Sequence, residues 1–328
     1  MSRPKLAVGI AVSVALFAYL LLSVDLRQVA AELRRTRWGW TALGVLLAVL
    51  GLWVRARRWR YLFPPGWAPP GLVPALMIGY MANNLLPLRA GEVVRVYVVA
   101  RRWPRGFWTT VATLIVERVL DTLAIVLLLA VLVLVIPVPA VFQWTAVTLL
   151  AVDLVAIVAL GFLAVAPETC RRGVARLTRR WPSVERRAAR IFETFARGLD
   201  GIRTWRHLPP LLGWTAIVWL VPALAAWTML HAVNLDLPWL AGWTVLALVG
   251  LGISLPSAPG YVGVFHYAAV LALDIFGVSR PASLGYAIVF HASQVVPTTL
   301  VGWVFMLREH LSLREATRSW EPPSPLVG

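Results

Sequence analysis

Cysteine is almost absent from this chain of 328 residues. Cys170 is the only one, so the sequence excludes an internal disulfide and a metal site built from cysteines. The five histidines are scattered, and no two of them have the spacing of a metal-binding motif. A glycine-rich phosphate loop, a nucleophile elbow and a dinucleotide-binding fingerprint are also missing. We therefore expect neither a metal nor a cofactor.

Charged residues are scarce as well, at 14% of the chain against 59% hydrophobic residues, and the mean hydropathy is +0.75. That balance is far from that of a soluble domain and indicates an integral membrane protein. The charge is one-sided, with 31 Lys and Arg against 15 Asp and Glu. Because the arginines lie in loops between apolar runs, without the aromatic interleaving of RNA-binding proteins, we expect an anionic lipid surface as partner and not nucleic acid.

Long apolar runs dominate what remains. A helix needs about 20 apolar residues to cross a bilayer core of about 30 Å. Runs near that length occupy residues 6–24, 38–54, 119–138, 140–166, 208–231 and 283–307. We predict an all-α, polytopic membrane protein with about 8 membrane-crossing segments and a re-entrant broken hairpin. Residues 1–311 would form one transmembrane domain, followed by a short cytoplasmic tail at 312–328.

Two further apolar stretches, 72–99 and 239–276, are interrupted by proline and glycine. The segment LPLRAG at 86–91 aligns without a gap on LPSAPG at 255–260. The predicted hinge residues are Pro87, Gly91, Pro256, Pro259, Gly260 and Gly263. Paired interrupted helices are typical of transporters with a substrate site at the bilayer midplane, so we predict a pseudo-repeat whose tips face each other. Helical hairpins that merely turn at Pro and Gly are the alternative.

Basic residues set the expected orientation. Arginines follow the span at 38–54, follow the first hairpin, fill the connection 171–206 and follow the last span. We predict a multi-pass protein of the cell membrane with these loops and both termini in the cytoplasm. Arg34, Arg35 and Arg37 fall on the predicted outer side and run against this pattern.

The basic connection 171–206 also has apolar residues at helical spacing. One set falls at positions 174, 177, 181 and 184, and the other at 191, 195, 199 and 202. This pattern favours amphipathic helices on an anionic membrane surface, broken at Pro182. A solvated loop that only sets the topology is the alternative.

Ionisable residues inside the apolar stretches form the most informative cluster. They are the arginines and carboxylates Arg89, Arg95, Arg118, Glu92, Glu117 and Asp121. A charge within a membrane segment costs roughly 2.5–3.5 kcal/mol on insertion scales, so it persists mainly where it has a role. Glu117 and Asp121 lie four apart on one helix face, and Arg118–Asp121 and Glu92–Arg95 have i,i+3 spacing.

We predict that this cluster lines one polar cavity, together with Asn83 and Asn84 at the end of the preceding short helix. Broken backbone at membrane depth persists only when buried in protein or beside a wet cavity. Guanidinium groups suit a lipid phosphate, and carboxylates suit a cationic headgroup or a coupling proton. The alternative is a buried cluster of salt bridges that fixes helix packing and binds no ligand.

The chain resembles the flippase-like family of the lysylphosphatidylglycerol synthase transmembrane region. That family includes the membrane half of the bacterial multiple-peptide-resistance factor. The resemblance rests on RARRW at 55–59, NLLPLRAGE at 84–92 with Arg95, ERVLD at 117–121 and LPSAPGYVGVF at 255–265. Their order and spacing cover nearly the whole chain. The resemblance implies a polytopic helical fold with re-entrant elements and a role in moving a polar lipid between leaflets.

The second half departs from the family pattern. Tyr261 stands where the family usually has a second glycine, His266 where it has an acid, and His291 where it has an arginine. We assign all three to the substrate site. Because histidine has an ordinary pKa of about 6.5, the two histidines facing the cavity would make activity depend on pH. Two neutral, packed histidines without such a role are the alternative.

The sequence thus predicts a flippase or transporter, not an enzyme, that moves a polar or lipid-linked headgroup across the cytoplasmic membrane. Its expected partner is a phospholipid or lipid-linked substrate. One alternative is a non-transporting scaffold that assists an envelope lipid or glycan biosynthesis enzyme, with a synthase or glycosyltransferase as partner. A membrane-embedded glycosyltransferase or hydrolase is a further alternative, suggested only by the paired carboxylates.

Overall fold

The computed structural model of the chain describes residues 3–86, 90–103, 106–178, 180–254 and 257–311. These residues form α-helices and short 3₁₀ turns with no β-strand among them, which confirms the all-α class. The helices are α1 Arg3–Leu22, α2 Leu26–Arg34, α3 Trp38–Arg60, α4 Leu72–Leu85, α5 Ala90–Arg102, α6 Phe107–Val133, α7 Ala140–Val165, α8 Pro167–Thr178, α9 Pro182–Arg197, α10 Asp200–Arg203, α11 Leu208–Ala232, α12 Trp239–Ser254, α13 Val264–Asp274 and α14 Arg280–Arg308. The 3₁₀ turns are Trp205–His207 and Pro259–Tyr261.

Long apolar helices give the molecule its membrane character. Within the described ranges, 4 helices are long and apolar enough to cross a bilayer: α3, α7, α14 and Trp205–Ala232, which includes α11. The pair Ile10–Leu22 and Leu26–Arg34 bends by 88° and makes up to 5 if it counts as one span. The 27-residue helix α6 has the necessary length, but Glu117, Arg118 and Asp121 interrupt its apolar sequence. A multi-pass membrane protein is therefore supported, and about 8 crossings stays a prediction.

Each arm of the two interrupted stretches is shorter than a full span. α4 and α5 have 14 and 13 residues, and α12 and α13 have 16 and 11, against the roughly 20 that a crossing requires. The arms of each stretch pack against each other. Helix α14 packs against both α4 and α13, and α11 packs against α3 and α12. The long helices thus hold the two broken hairpins together around one interior.

Glycine closes the first hairpin. A Cβ atom on Gly91 would collide with the carbonyl oxygen of Gly79 and lie 2.6 Å from Oδ1 of Asn83. The Gly91 backbone N–H donates to that same oxygen over 2.8 Å. The asparagine therefore satisfies a backbone donor that the broken helix leaves free. Pro87 and Arg89 lie outside the described residues.

The second hairpin has an unusual backbone at its break. Gly260, Tyr261 and Gly263 have positive φ angles of 65°, 60° and 88°. A side chain in this left-handed region is strained, so Tyr261 stays there only because its surroundings hold it. Helix α1 provides part of that hold, since Oγ of Ser13 accepts the backbone N–H of Ala258 over 2.9 Å. Pro256 lies outside the described residues.

The basic connection contains the helices α8 and α9, which meet near Pro182 as predicted, and then the short α10 and a 3₁₀ turn. In α8 and the turn after it, Leu177 and Trp181 are exposed. The second apolar set does not lie free on a surface: Leu199 is fully buried, and Phe195 and Ile202 pack against the buried core around α3–α6. The expectation of a freely lying amphipathic helix is therefore wrong for this set, because its apolar face is buried against the body of the protein.

Candidate functional site

A cavity of about 260 Å³ lies between the two hairpins and the long helices. All the charged residues of its lining come from α3, α5 and α6. Together with the polar residues of α4 they are Arg55, Tyr80, Asn83, Asn84, Glu92, Arg95, Arg118 and Asp121. Helices α12, α13 and α14 contribute mainly apolar residues, among them Leu246, Val249, Ile253, Phe265 and Phe290, and a smaller uncharged polar set, Ser254, His291, Gln294 and Thr298. An amphipathic ligand fits such a division better than a wholly polar one.

Glu117 is the innermost charge of the cluster and is fully buried. Its carboxylate accepts hydrogen bonds from Arg95 at 2.8 Å and 3.3 Å and from Arg118 at 2.7 Å. Arg58 lies 3.6 Å away. A buried carboxylate is tolerated when it is paired and hydrogen-bonded, so these arginines account for its position. Glu117 does not line the cavity but holds the arginines that do.

Asp121 lies one helical turn further along α6 and does reach the cavity. Its carboxylate accepts from Arg58 at 2.6 Å and from Arg55 at 3.3 Å, and it pairs with Arg118 at 3.2 Å. The predicted i,i+3 pairing of Arg118 with Asp121 is thus confirmed. Four arginines share the two carboxylates of α6: Arg55 and Arg58 from α3, Arg95 from α5, and Arg118 from α6 itself.

Glu92 and Arg95 do not pair as their spacing predicted. Among the described residues, Arg95 makes its ion pair with Glu117, and Glu92 makes a longer one with Arg118 at 3.6 Å. The reason is burial: the Arg95 guanidinium is nearly inaccessible and lies 4.2 Å from the Trp59 ring centroid, away from the more exposed Glu92. Glu92 and Arg118 are about one-third exposed, at 29% and 33% of their side chains, and are the charges most open to a ligand.

Arg58 belongs to the cluster, although the sequence alone placed it among the arginines that follow the span at 38–54 and set the orientation in the membrane. It lies in the last turns of α3, is fully buried, and bonds Asp121 at 2.6 Å. Among the residues that the structure describes, its Nη2 and Nε atoms have no hydrogen-bond partner. The signal available in the sequence was the i,i+3 spacing of Arg55 and Arg58, which places both on the face of α3 that meets α6.

Positive charge exceeds negative charge in this part of the molecule. Four arginines, Arg55, Arg58, Arg95 and Arg118, meet three carboxylates, Glu92, Glu117 and Asp121. The described set therefore has one guanidinium more than it has carboxylates, before Arg89 is considered. A surplus guanidinium beside a cavity favours an anionic group in that cavity.

The tips of the hairpins approach each other on the described residues. A Cβ atom on Gly260 would lie 3.3 Å from the carbonyl oxygen of Asn84, so the second loop touches the end of α4. The Asn84 amide in turn donates to the hydroxyls of Thr298 and Thr299 on α14, at 3.0 Å and 2.9 Å. Whether the two hairpins are a repeat in the evolutionary sense stays a prediction.

The model of the family described as Lysylphosphatidylglycerol synthase TM region matches residues 6–302. The chain belongs to this family. The resemblance inferred from the motifs is therefore confirmed over nearly the whole length. Neither the curated proteins nor the solved structures include a match to the chain. Membership in this family points to a membrane protein of lipid-related processes.

The residues at which this family member departs from the usual pattern divide into two groups. Tyr261 and His291 line the cavity, and Nε2 of His291 lies 2.7 Å from the carbonyl oxygen of Gly260 in the strained loop. His266 is not among the cavity-lining residues. The expectation that both histidines face the cavity is wrong for His266, because its ring is buried between Phe17, Phe265 and His291. Its Nδ1 instead accepts the Gly263 N–H at 3.4 Å.

Metal-binding geometry is not found in the part of the chain that the structure describes, where no group of three His, Cys, Asp or Glu side chains converges. The polar side chains of the site carry guanidinium, carboxylate, amide and hydroxyl groups and the imidazole of His291. Such groups bind phosphate, ammonium and sugar hydroxyls by hydrogen bonds and charge.

Proposed function

We propose that the chain moves a polar lipid headgroup between the leaflets of the cytoplasmic membrane by way of the cavity. The observation that carries the proposal is the division of the cavity wall. Helices α3 and α6 offer the partly exposed Arg55 and Arg118 for a phosphate, and α12–α14 offer apolar side chains for the adjoining lipid. Membership in a family of lipid-related membrane proteins supports a lipid as the ligand of this cavity.

The headgroup we propose is anionic at its phosphate. The cluster keeps one guanidinium in surplus, and guanidinium groups form forked hydrogen bonds with phosphate oxygens. Glu92 lies on the same side and is partly exposed, so a headgroup that also carries an ammonium group would find a counter-charge there. A phospholipid or lipid-linked phosphate has this chemistry.

The broken hairpins supply the moving part of this proposal. Short arms joined by a strained loop change position more readily than continuous helices, because fewer helical hydrogen bonds must be broken. The two tips touch where Gly260 meets the carbonyl oxygen of Asn84. In this proposal, separation of the tips admits the headgroup to the cavity.

Part of the cluster favours a structural role. Glu117 and Arg58 are fully buried, lie 3.6 Å from each other and stay out of the cavity. Removing either leaves an unpaired buried charge, which destabilises a protein whether or not it transports anything. Variants of these two residues therefore cannot test transport, and the cavity-facing residues must.

Reconstitution in liposomes tests the proposal. The purified full-length protein is incorporated into vesicles that contain fluorescent headgroup-labelled lipids, one anionic and one zwitterionic in parallel. A membrane-impermeant reductant then quenches the outer leaflet. We expect the inner-leaflet signal of at least one phospholipid to decay faster than in protein-free vesicles. If every lipid tested decays at the protein-free rate, a non-transporting scaffold that assists a biosynthetic enzyme replaces the proposal.

A further inference from the structure

A second hollow lies at the arginine-rich end of the helices and shares no residue with the central cavity. Its volume is about 570 Å³. It forms where α9 crosses the beginning of α6, beside the loop after α3 and the end of α5. The lining residues include Trp67, Trp103, Thr109, Arg190, Thr194 and Arg197. We refer to it as the tryptophan groove.

The groove is built by specific contacts. The Thr109 hydroxyl donates to the backbone carbonyl of Thr194 at 2.8 Å, which fixes α9 against α6. One turn further, a Cβ atom on Gly198 would lie 2.6 Å from the Cβ of Ala112, so the two segments pack too closely for a side chain. The walls of the groove are therefore held in place by the body of the protein.

Two arginines line the groove, and neither has an acidic partner among the described residues. Arg190 and Arg197 are seven residues apart, which places them two turns apart on one face of α9. Among the described residues, no carboxylate oxygen lies within 4.0 Å of either guanidinium. Arg197 donates only a long 3.4 Å bond to the Glu193 carbonyl of its own helix. Arg171 and Arg203 in the same connection, by contrast, are paired with Glu168 and Asp200.

Two tryptophans also line the groove. The ring centroids of Trp67 and Trp103 are 3.8 Å apart, and Trp67 keeps 40% of its surface exposed. Tryptophan is enriched at the level of lipid headgroups because its ring is apolar while its N–H forms hydrogen bonds. A groove lined by both aromatic rings and two guanidinium groups suits a ligand with a phosphate beside an apolar glycerol backbone.

We propose that the tryptophan groove binds the headgroup of an anionic phospholipid from the adjacent leaflet. The phosphate lies between Arg190 and Arg197, and the glycerol backbone lies against Trp67. A free phosphate ion would use the arginines and leave the tryptophans without a role. The bound lipid fastens α9 to the membrane domain, and this site does not depend on transport through the central cavity.

Photolabelling tests the site on the full-length protein in detergent. The probe is a photoreactive phosphatidylglycerol, and mass spectrometry locates its crosslinks on the peptides around Trp103 and in α9. The variant Arg190→Gln with Arg197→Gln removes both guanidinium groups of the groove. The matched control, Arg186→Gln with Arg187→Gln, removes the same charge from two exposed positions on the same helix.

Each arginine near an anionic lipid contributes a factor of between about 5 and 6 to the affinity. We therefore expect the probe concentration for half-maximal labelling to rise about 30-fold in the groove variant, which lacks two arginines. The control should change by less than about threefold, and Arg55→Gln in the central cavity should leave these crosslinks unchanged. Equal loss in the two double variants would overturn the proposal in favour of unspecific charge attraction. Competition by inorganic phosphate as strong as by phosphatidylglycerol, or equal labelling by a phosphatidylcholine probe, would also overturn it.

Discussion

Gly79 on α4 and Gly91 on α5 lie so close that a methyl group on Gly91 has no room beside the Gly79 carbonyl. This contact brings the two short arms of the first hairpin together. It also places Glu92 and Arg95 of α5 beside Arg118 and Glu117 of α6. The contribution of α5 to the charged cluster thus depends on a position that carries no charge.

Gly91→Ala should destabilise the protein by about 1–3 kcal/mol, because the added methyl forces the arms apart. Thermal unfolding of the purified protein in detergent measures this change. Gly213→Ala is the matched control, since nothing lies within 4 Å of a Cβ at that exposed position in α11. It should leave the unfolding temperature unchanged or raise it slightly. Equal behaviour of the two variants would show that the hairpin is loosely packed.

Arg58→Gln should lower the stability by about 3–5 kcal/mol, because it leaves Asp121 and Glu117 short of a buried counter-charge. The yield of folded protein after size-exclusion chromatography reports the loss. Arg57→Gln is the control one residue away. Arg57 is exposed and lies over the Trp53 ring at 4.6 Å, so its loss should cost less than about 1 kcal/mol. A folded, stable Arg58→Gln protein would contradict the role assigned to Arg58.

Arg118→Ala should abolish lipid movement, because it removes the guanidinium that joins Glu92, Glu117 and Asp121 at the cavity wall. The fluorescent-lipid assay in vesicles measures the rate, and thermal unfolding is recorded beside it. A protein that loses stability yet moves lipid at the original rate would identify the cluster as a packing device.

The double variant His266→Gln with His291→Gln should leave the shape of the activity–pH profile unchanged between about pH 5.5 and 8, which brackets the ordinary histidine pKa of about 6.5. His266 lies among aromatic rings outside the cavity lining, and His291 supports the loop at Gly260, where glutamine can also form a hydrogen bond. The lipid assay repeated across that range provides the profile. A flattened profile would mean that the pair acts as a pH switch.

Much of the helix arrangement follows from the sequence alone. The apolar runs predicted α3, α7, α11 and α14 closely, because a membrane helix requires a long uninterrupted stretch. The predicted start of α6 is 12 residues too late: the apolar run begins at Val119, whereas the helix begins at Phe107. The charged triad interrupts the hydropathy pattern there, and only the arginines of other helices make that interruption compatible with a helix.

The members of the charged site were predicted better than their partners. Spacing along one helix identified Arg118 and Asp121 as a pair, since both lie on α6. It could not show that Arg95 meets Glu117 or that Arg58 meets Asp121, since these contacts join residues far apart in the chain. Arg58 looked like its neighbours Arg57 and Arg60, and only tertiary packing separates the buried arginine from the exposed ones.

The most direct test of the transport proposal compares two arginines of the same helix in the vesicle assay. Arg55 faces the cavity and pairs with Asp121 at 3.3 Å, whereas Arg57 is exposed outside it. We predict that Arg55→Gln slows lipid movement by about tenfold or more, since a hydrogen bond to a charged group contributes about 1.5–3 kcal/mol. Arg57→Gln should stay within about twofold of the original protein. Equal rates in the two variants, with both proteins folded, would contradict the account.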